Sequence, residues 1–377
     1  MKRLALVLLV ACSAAPPPKR PKSFGMCRAE PASTPVAREE KPPRIDRMVR
    51  SHLATSARCI SRSDKGIWCW GKDDELFGYA SEPRARPSLV KELGTAESVA
   101  NGYPTCVVDG GDVVCFDRAM SKKLGDAVDV ATGAESVCVV RRTGSVACWG
   151  MGYREPFDKK KGKNEKPPTT LIDVPMDDAS AIAMNASGTA CVTRRSGRVT
   201  CWAEREDYAH TTTSDVKGVE DAVGVAVSTH SPGFVCALRG SGDVLCWGQA
   251  GYGELGKDRN GVDRAPARID GVDGAVSLAT GGHHACVVTH ARRVFCWGAN
   301  DAGQLGDGST ENRDAPVRVA GIDDALSVVC GDRHTCVERA NGVVSCWGNN
   351  RENELGDGQR EPDPPFSVAP VAVIGLP

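Results

Sequence analysis

The chain has 377 residues and a formal net charge of −1, so it carries no global basic field of the kind a nucleic-acid binder uses. Its hydrophobic content is 41%, yet no apolar run reaches the roughly 20 residues needed to span a bilayer. Seventeen cysteines in a chain with no C-x-x-C spacing argue against metal sites and for disulfides made in an oxidising compartment.

The N-terminus supplies that compartment. Met1-Lys2-Arg3 is a basic start, Leu4 to Val10 is a short apolar core, and the run ends in Leu9-Val10-Ala11-Cys12. This resembles the lipobox of bacterial lipoproteins, which implies that residues 1–11 are a signal peptide and that Cys12 is acylated as the mature N-terminus. The competing expectation is an ordinary signal peptide cut near Ala14-Ala15. Either exports the protein into an oxidising compartment. The lipobox makes it lipid-anchored, in the outer membrane, facing the periplasm or the cell surface. Residues 12–44 hold eight prolines and no apolar periodicity, so they are expected to be a disordered tether. Cys27 lies in that tether without a repeat partner.

From residue 45 to 377 one unit recurs. Residues 273–322 show its form, and Leu305-Gly306-Asp307-Gly308 returns as Leu355-Gly356-Asp357-Gly358 one period of about 50 residues later. Seven cysteine pairs mark seven units: Cys59 with Cys69, Cys106 with Cys115, Cys138 with Cys148, Cys191 with Cys201, Cys236 with Cys246, Cys286 with Cys296, and Cys336 with Cys346. Tryptophan follows six of the second cysteines (Trp70, Trp149, Trp202, Trp247, Trp297, Trp347), and Phe116 takes that place in the second unit. Each pair brackets a predicted hairpin. In the second unit the centre is Gly110-Gly111, a favoured two-residue turn, and mirror pairing about it sets Cys106 opposite Cys115. In the others one more residue intervenes, which suits a three-residue loop with a left-handed glycine at its third position. Gly144, Gly197, Gly242 and Gly342 fall there; Lys65 and Arg292 do not fit. Opposed residues on antiparallel strands are within disulfide reach. Each bridge is expected to add about 2–3 kcal/mol. Cys330 stands outside the scheme, as a partner for Cys27 or as a reduced thiol.

With a small-residue strand ahead of each hairpin and an alternating strand behind it, each unit has about four short antiparallel strands. Seven such units cannot bury both sheet faces alone, and stacking them around an axis does so. The expected fold is all-β, a seven-bladed β-propeller. Ala369–Gly375 echoes Ala315–Gly321, and is expected to meet Met48–Ala54 where the ring begins. The motif C-W-G-x-N-x-x-G-Q-L-G-D-G at Cys296–Gly308, followed by P-V-x-V-x-G at Pro316–Gly321, resembles the regulator-of-chromosome-condensation repeat. The resemblance is strongest in units five to seven. It implies a seven-bladed propeller presenting loops to partner proteins. The family's action on a nuclear GTPase and chromatin is not implied for an exported protein. Unit two lacks the Gly-Gln-Leu-Gly loop, unit three carries a lysine-rich insertion at Asp158–Pro168, and unit four has Ala203 after its tryptophan.

No catalytic motif appears, and the expected protein is not an enzyme and needs no cofactor or metal. His284 and His334 hold equivalent repeat positions and are expected to be structural, while His283 and His290 are single and expected to be exposed. Leu-Gly-Asp-Gly is read as a turn rather than a calcium loop, and the tryptophans as packing between blades rather than a sugar site. Lys159, Lys160, Lys161, Lys163 and Lys166 form the one dense charge cluster, the candidate partner-binding loop. The expected function is a monomeric envelope lipoprotein that binds an envelope or extracellular protein through propeller loops, with no nucleic-acid partner. The alternatives are an inhibitor of a secreted enzyme, which clustered aromatics on one loop face would favour and of which the sequence displays few, and a carbohydrate-binding or polysaccharide-acting propeller.

Overall fold

The computed structural model describes residues 58–376 apart from internal stretches, the longest being 72–83, 151–170 and 204–212. Segments 1–11, 12–44 and 48–54, with Cys12, Cys27, Lys65 and the lysines Lys159, Lys160, Lys161, Lys163 and Lys166, lie outside the described residues.

Seven antiparallel sheets follow one another within the unit Ile45–Pro377. They are blades 1 to 7, spanning 58–89, 98–122, 127–174, 179–215, 222–268, 275–318 and 325–372. Among the described residues five have four strands and two have three. Blade 6 shows the plan: inner strand Ala275–Thr280, second strand His284–Thr289, third strand Val294–Gly298, outer strand Arg313–Arg318, each hydrogen-bonded to its neighbours in sequence. Neighbouring blades cover both faces of the second strand, so His284–Thr289 is buried at every position and reads as a continuous small and apolar run rather than an alternating one. Blade 2 is the shortened one. A 3-10 turn at Arg118–Met120 and a single bridge between Val113 and Lys122 stand where other blades have an outer strand.

The paired cysteines sit directly opposite one another on adjacent strands of each blade. Cys59 is bonded to Cys69, Cys106 to Cys115, Cys138 to Cys148 and Cys191 to Cys201. Cys236 is bonded to Cys246, Cys286 to Cys296 and Cys336 to Cys346. Their Cα atoms are 4.0–4.2 Å apart, the closer of the two spacings that alternate along an antiparallel ladder. Turn geometry places them there. The Arg141 amide donates to the Ser145 carbonyl, closing a hydrogen-bonded pair, and alternation from it makes Cys138 and Cys148 a non-hydrogen-bonded pair. Gly144, Gly197, Gly242 and Gly342 take positive φ at the third turn position. Arg292, the residue that did not fit, adopts the same left-handed conformation at φ 58°. The hairpin's register overrides the local cost to a side-chain-bearing residue.

Seven apolar clusters make the core, and each lies between two consecutive blades. One of them joins Ile60 and Trp70 of blade 1 to Val329, Cys336, Val344, Cys346, Leu355 and Val373 of blade 7, which closes the ring. In six clusters the tryptophan comes from the later blade of the pair, and in the seventh Phe116 takes that role. Three of these rings are received by the loops 253–256, 303–306 and 353–356, each ending in Leu-Gly. Trp297 donates its indole N–H to the Glu254 carbonyl at 2.8 Å, Trp347 to the Gln304 carbonyl at 2.9 Å, and Trp70 to the Glu354 carbonyl at 2.8 Å. Trp149, facing the blade without that loop, finds the Met120 carbonyl of the 3-10 turn instead. The glycine that ends two of these loops lets the ring approach: a Cβ on Gly306 would lie 2.7 Å from Trp347 Nε1, and one on Gly356 2.8 Å from Trp70 Cδ1.

The expected meeting of Ala369–Gly375 with Met48–Ala54 falls in part on residues outside those described. Phe366–Ala372 pairs with Val344–Asn349 and is the outer strand of its own blade. Blade 7 also meets blade 1 through the backbone, where the Gly358 amide donates to the Ala85 carbonyl at 2.9 Å.

Candidate binding face on blades five to seven

In an antiparallel meander the loop from inner to second strand and the loop from third to outer strand emerge at the same end of the sheet. At that end of blades 5, 6 and 7 the loops converge on a polar, ring-bearing cluster. Tyr252 follows the third strand of blade 5 and is held outward by its neighbour Glu254, whose Oε2 accepts the Gly251 and Tyr252 amides at 3.0 and 2.7 Å. The Glu254 side chain is wholly buried, and its Oε1 lies 3.0 Å from Nδ1 of His283. Burial pushes the Glu254 carboxyl up, but the His283 hydrogen bond and the amides of the loop outweigh it and hold it below the ordinary glutamate range. An ionised carboxylate only accepts, so Nδ1 of His283 carries the proton and Nε2 is left as an acceptor when the ring is neutral.

His283 sits on the loop between the first two strands of blade 6, and the corresponding loop of blade 5 supplies His230. Their rings stack with centroids 4.7 Å apart, and Tyr252 meets His283 edge-on at 4.9 Å. Blade 7 contributes Asp332, whose Oδ1 is 3.4 Å from His230 Nε2. The cluster is a pair of carboxylate–imidazole couples, one buried beneath the other's stack. Gly282 makes the convergence possible, because a Cβ there would lie 2.3 Å from Asp332 Oδ1 and 2.7 Å from His230 Nδ1. Its amide donates to the Asp332 carbonyl at 3.0 Å, and Asn185 of blade 4 reaches the His230 carbonyl at 3.4 Å. Beside the cluster Arg333 pairs with Asp301. Tyr252 and His230 are each 47% exposed and His283 is 39% exposed, on strand ends fixed by the core below.

This cluster was missed in the sequence. His283 is not merely an exposed single residue, and aromatic rings do gather on one loop face. The only sequence signal is Gly281-Gly282 ahead of His283, where small residues mark a close approach. His284 and His334 are buried, as expected of repeat positions, and His284 Nε2 bonds Thr335 Oγ1 at 2.9 Å. The turn reading of Leu-Gly-Asp-Gly agrees with Asp307: its oxygens hold Ser309, Asn300 and Arg313.

Family models of the regulator of chromosome condensation (RCC1) repeat match residues 293–337 and, in a second form, 275–304 and 326–354. Residues 275–354, in blades 6 and 7, thus carry RCC1-type repeats within a seven-bladed propeller. Yeast RCC1 (Prp20) in its complex with Kap60 is 18% identical, with 88% of this chain and 86% of that one covered at a TM-score of 0.65. Prp20p from Saccharomyces cerevisiae, solved with a study of its binding to Gsp1p and histones, is 17% identical, with 88% of each chain covered at 0.66. Human WBSCR16 is 17% identical, with 86% of this chain and 80% of that one covered at 0.55. At these identities the RCC1-like likeness is one of fold. No curated protein sequence matches the chain.

Proposed function

We propose that this RCC1-like propeller is a non-enzymatic, monomeric lipoprotein of the bacterial cell envelope. In this reading Cys12 anchors it to the outer membrane, facing the periplasm or the cell surface, and it binds another protein through the loop ends of blades 5 to 7. One observation carries the binding face: Tyr252, His230 and His283 form an exposed ring cluster across two blades, braced by buried Glu254 and by Asp332 from a third. Rigid rings with polar tips supply contact area at low entropic cost, which is why such residues dominate protein interfaces. The buried Glu254 carboxylate is engaged by His283 and by the Gly251 and Tyr252 amides, which favours recognition over catalysis. The yeast relatives bind proteins on the same fold. The signal sequence and lipobox support the location, and a net charge of −1 favours no nucleic-acid role.

The same ring cluster gives a specific second reading, in which the bound protein is a secreted enzyme and the propeller its inhibitor. The test is a photo-crosslinking residue placed at Tyr252, and for comparison at Asn341 on a hairpin turn, in cells carrying the full-length protein. One dominant protein captured from Tyr252, lost with His283→Ala and absent from Asn341, is expected. Deletion of 159–166 in parallel asks whether the lysine loop contributes. Capture of glycan alone, or of nothing above background, would overturn the reading and put carbohydrate binding first.

A further inference from the structure

Cys330 is the thiol that lies outside the seven disulfides of the described residues, at the end of the inner strand of blade 7. It is 1% exposed and shares an apolar cluster with Cys286 and Cys296 of blade 6. Its Sγ, Cys286 Sγ and an imidazole nitrogen of His284 all lie within 4.8 Å of one another. Such a trio invites a metal, but two features stand against one. Cys286 is already bonded to Cys296, and the Thr335 hydroxyl fills the centre, 2.9 Å from His284 Nε2, 3.8 Å from Cys286 Sγ and 4.0 Å from Cys330 Sγ.

What the arrangement does hold is a nucleophile and a disulfide in one buried place. We infer that Cys330 and the Cys286–Cys296 bridge form an internal thiol–disulfide exchange site that converts a staple within blade 6 into a covalent link between blades 6 and 7. As the thiolate, Cys330 attacks Cys286 Sγ. The Cys286–Cys330 bond forms as the Cys286–Cys296 bond breaks. The electron pair leaves on Cys296 Sγ, which takes up the proton lost from Cys330. No external oxidant or reductant is consumed. Contraction from 4.8 Å or less to a bond of about 2.05 Å is a movement of under about 3 Å. Exchange ordinarily depends on access of an outside thiol; here both partners sit in the same core, so burial excludes competitors without separating the reactants.

Disulfide mapping of the full-length protein tests this. The protein is equilibrated at pH 8 across a series of reduced-to-oxidised glutathione ratios, quenched by alkylation in denaturant and digested without reduction. A peptide linking Cys286 to Cys330, accompanied by alkylated Cys296, is expected alongside the Cys286–Cys296 peptide. In Cys296→Ser, with oxidised glutathione as the two-electron acceptor, the Cys286–Cys330 link is expected to become the main product. In Cys246→Ser the stranded Cys236, which has no such third cysteine in its cluster, is expected to be glutathionylated or alkylated. The inference is overturned if Cys330 is alkylated, or linked to Cys27, at every ratio while Cys286–Cys296 stays intact. Alkylation of both Cys286 and Cys330 in a folded Cys296→Ser protein also overturns it. Should that variant not fold, the wild-type mapping decides alone.

Discussion

The indole N–H of Trp70, in the first blade, donates to the main-chain carbonyl of Glu354, in the last, at 2.8 Å. It is the same contact that Trp297 and Trp347 make with the blades before them. Ring closure thus repeats an internal joint rather than requiring a special one. Trp70→Phe keeps most of the apolar contact and leaves a buried carbonyl without its donor, at a cost of about 1–3 kcal/mol. Trp70→Ala also opens a cavity and is expected to cost about 3–5 kcal/mol. Denaturant titration under non-reducing conditions reads both. Equal stability of wild type and Trp70→Phe would mean that this joint does not hold the ring.

Gly256 and Gly356 end equivalent loops, and both have positive φ. A Cβ on Gly256 would meet nothing closer than 3.4 Å, whereas one on Gly356 would press on Trp70 at 2.8 Å. Both alanine variants pay for the backbone conformation, but Gly356→Ala is expected to lose about 1–3 kcal/mol more through overpacking. The difference between their melting temperatures measures that contact.

Arg292 holds a turn position that four other blades give to glycine, at φ 58°. Arg292→Gly removes a left-handed side-chain-bearing residue, worth about 1–2 kcal/mol, against about 0.5–1 kcal/mol of extra unfolded-state entropy. A net gain of up to about 1 kcal/mol is expected, seen as a higher melting temperature.

Two buried glutamates at equivalent loop positions are expected to respond to pH in opposite senses, where the intervening blade has Gln304. Burial raises the Glu354 carboxyl above the ordinary range, and the hydrogen bonds from Asn349 and the loop amides do not offset it. A folded value above the unfolded one, about 4.3, makes its contribution fully present below that pH and lost as pH rises through the folded value. Glu254 is held low, so its contribution is present above the unfolded value and lost as pH falls through the folded one. At neutral pH, Glu354→Gln is therefore expected to stabilise and Glu254→Gln to destabilise, with the Glu254→Gln deficit shrinking in acid. Melting curves from pH 3 to 8 check both signs. The same direction for both variants at pH 7 would refute this assignment.

How far the chain could be read follows from which features are local. Cysteine spacing and turn glycines fix the hairpins because both act over about ten residues, and the repeated tryptophan declares a repeated joint. The fourth strand of blade 2 could not be drawn correctly, since a 3-10 turn and one bridge replace it. The face on blades 5 to 7 was hidden for a different reason. His230, Tyr252, His283 and Asp332 come from three units, and none of them is a repeat position, so comparing units with one another discards them. Only blade-to-blade register brings His230 over Gly282 and against Asp332.

The bridges join cysteines only 9 or 10 residues apart, and each closes within a single blade. A unit is therefore covalently self-contained: it can be duplicated, lost or exchanged between chains without scrambling the pairing of any other. Nothing in the bridge pattern counts to seven. The number of blades is set by how wedge-shaped units meet around an axis, and the covalent scheme is indifferent to it. A gene encoding such a protein is free to vary its loop ends unit by unit, because none of these seven bridges ties one blade to the sequence of the next.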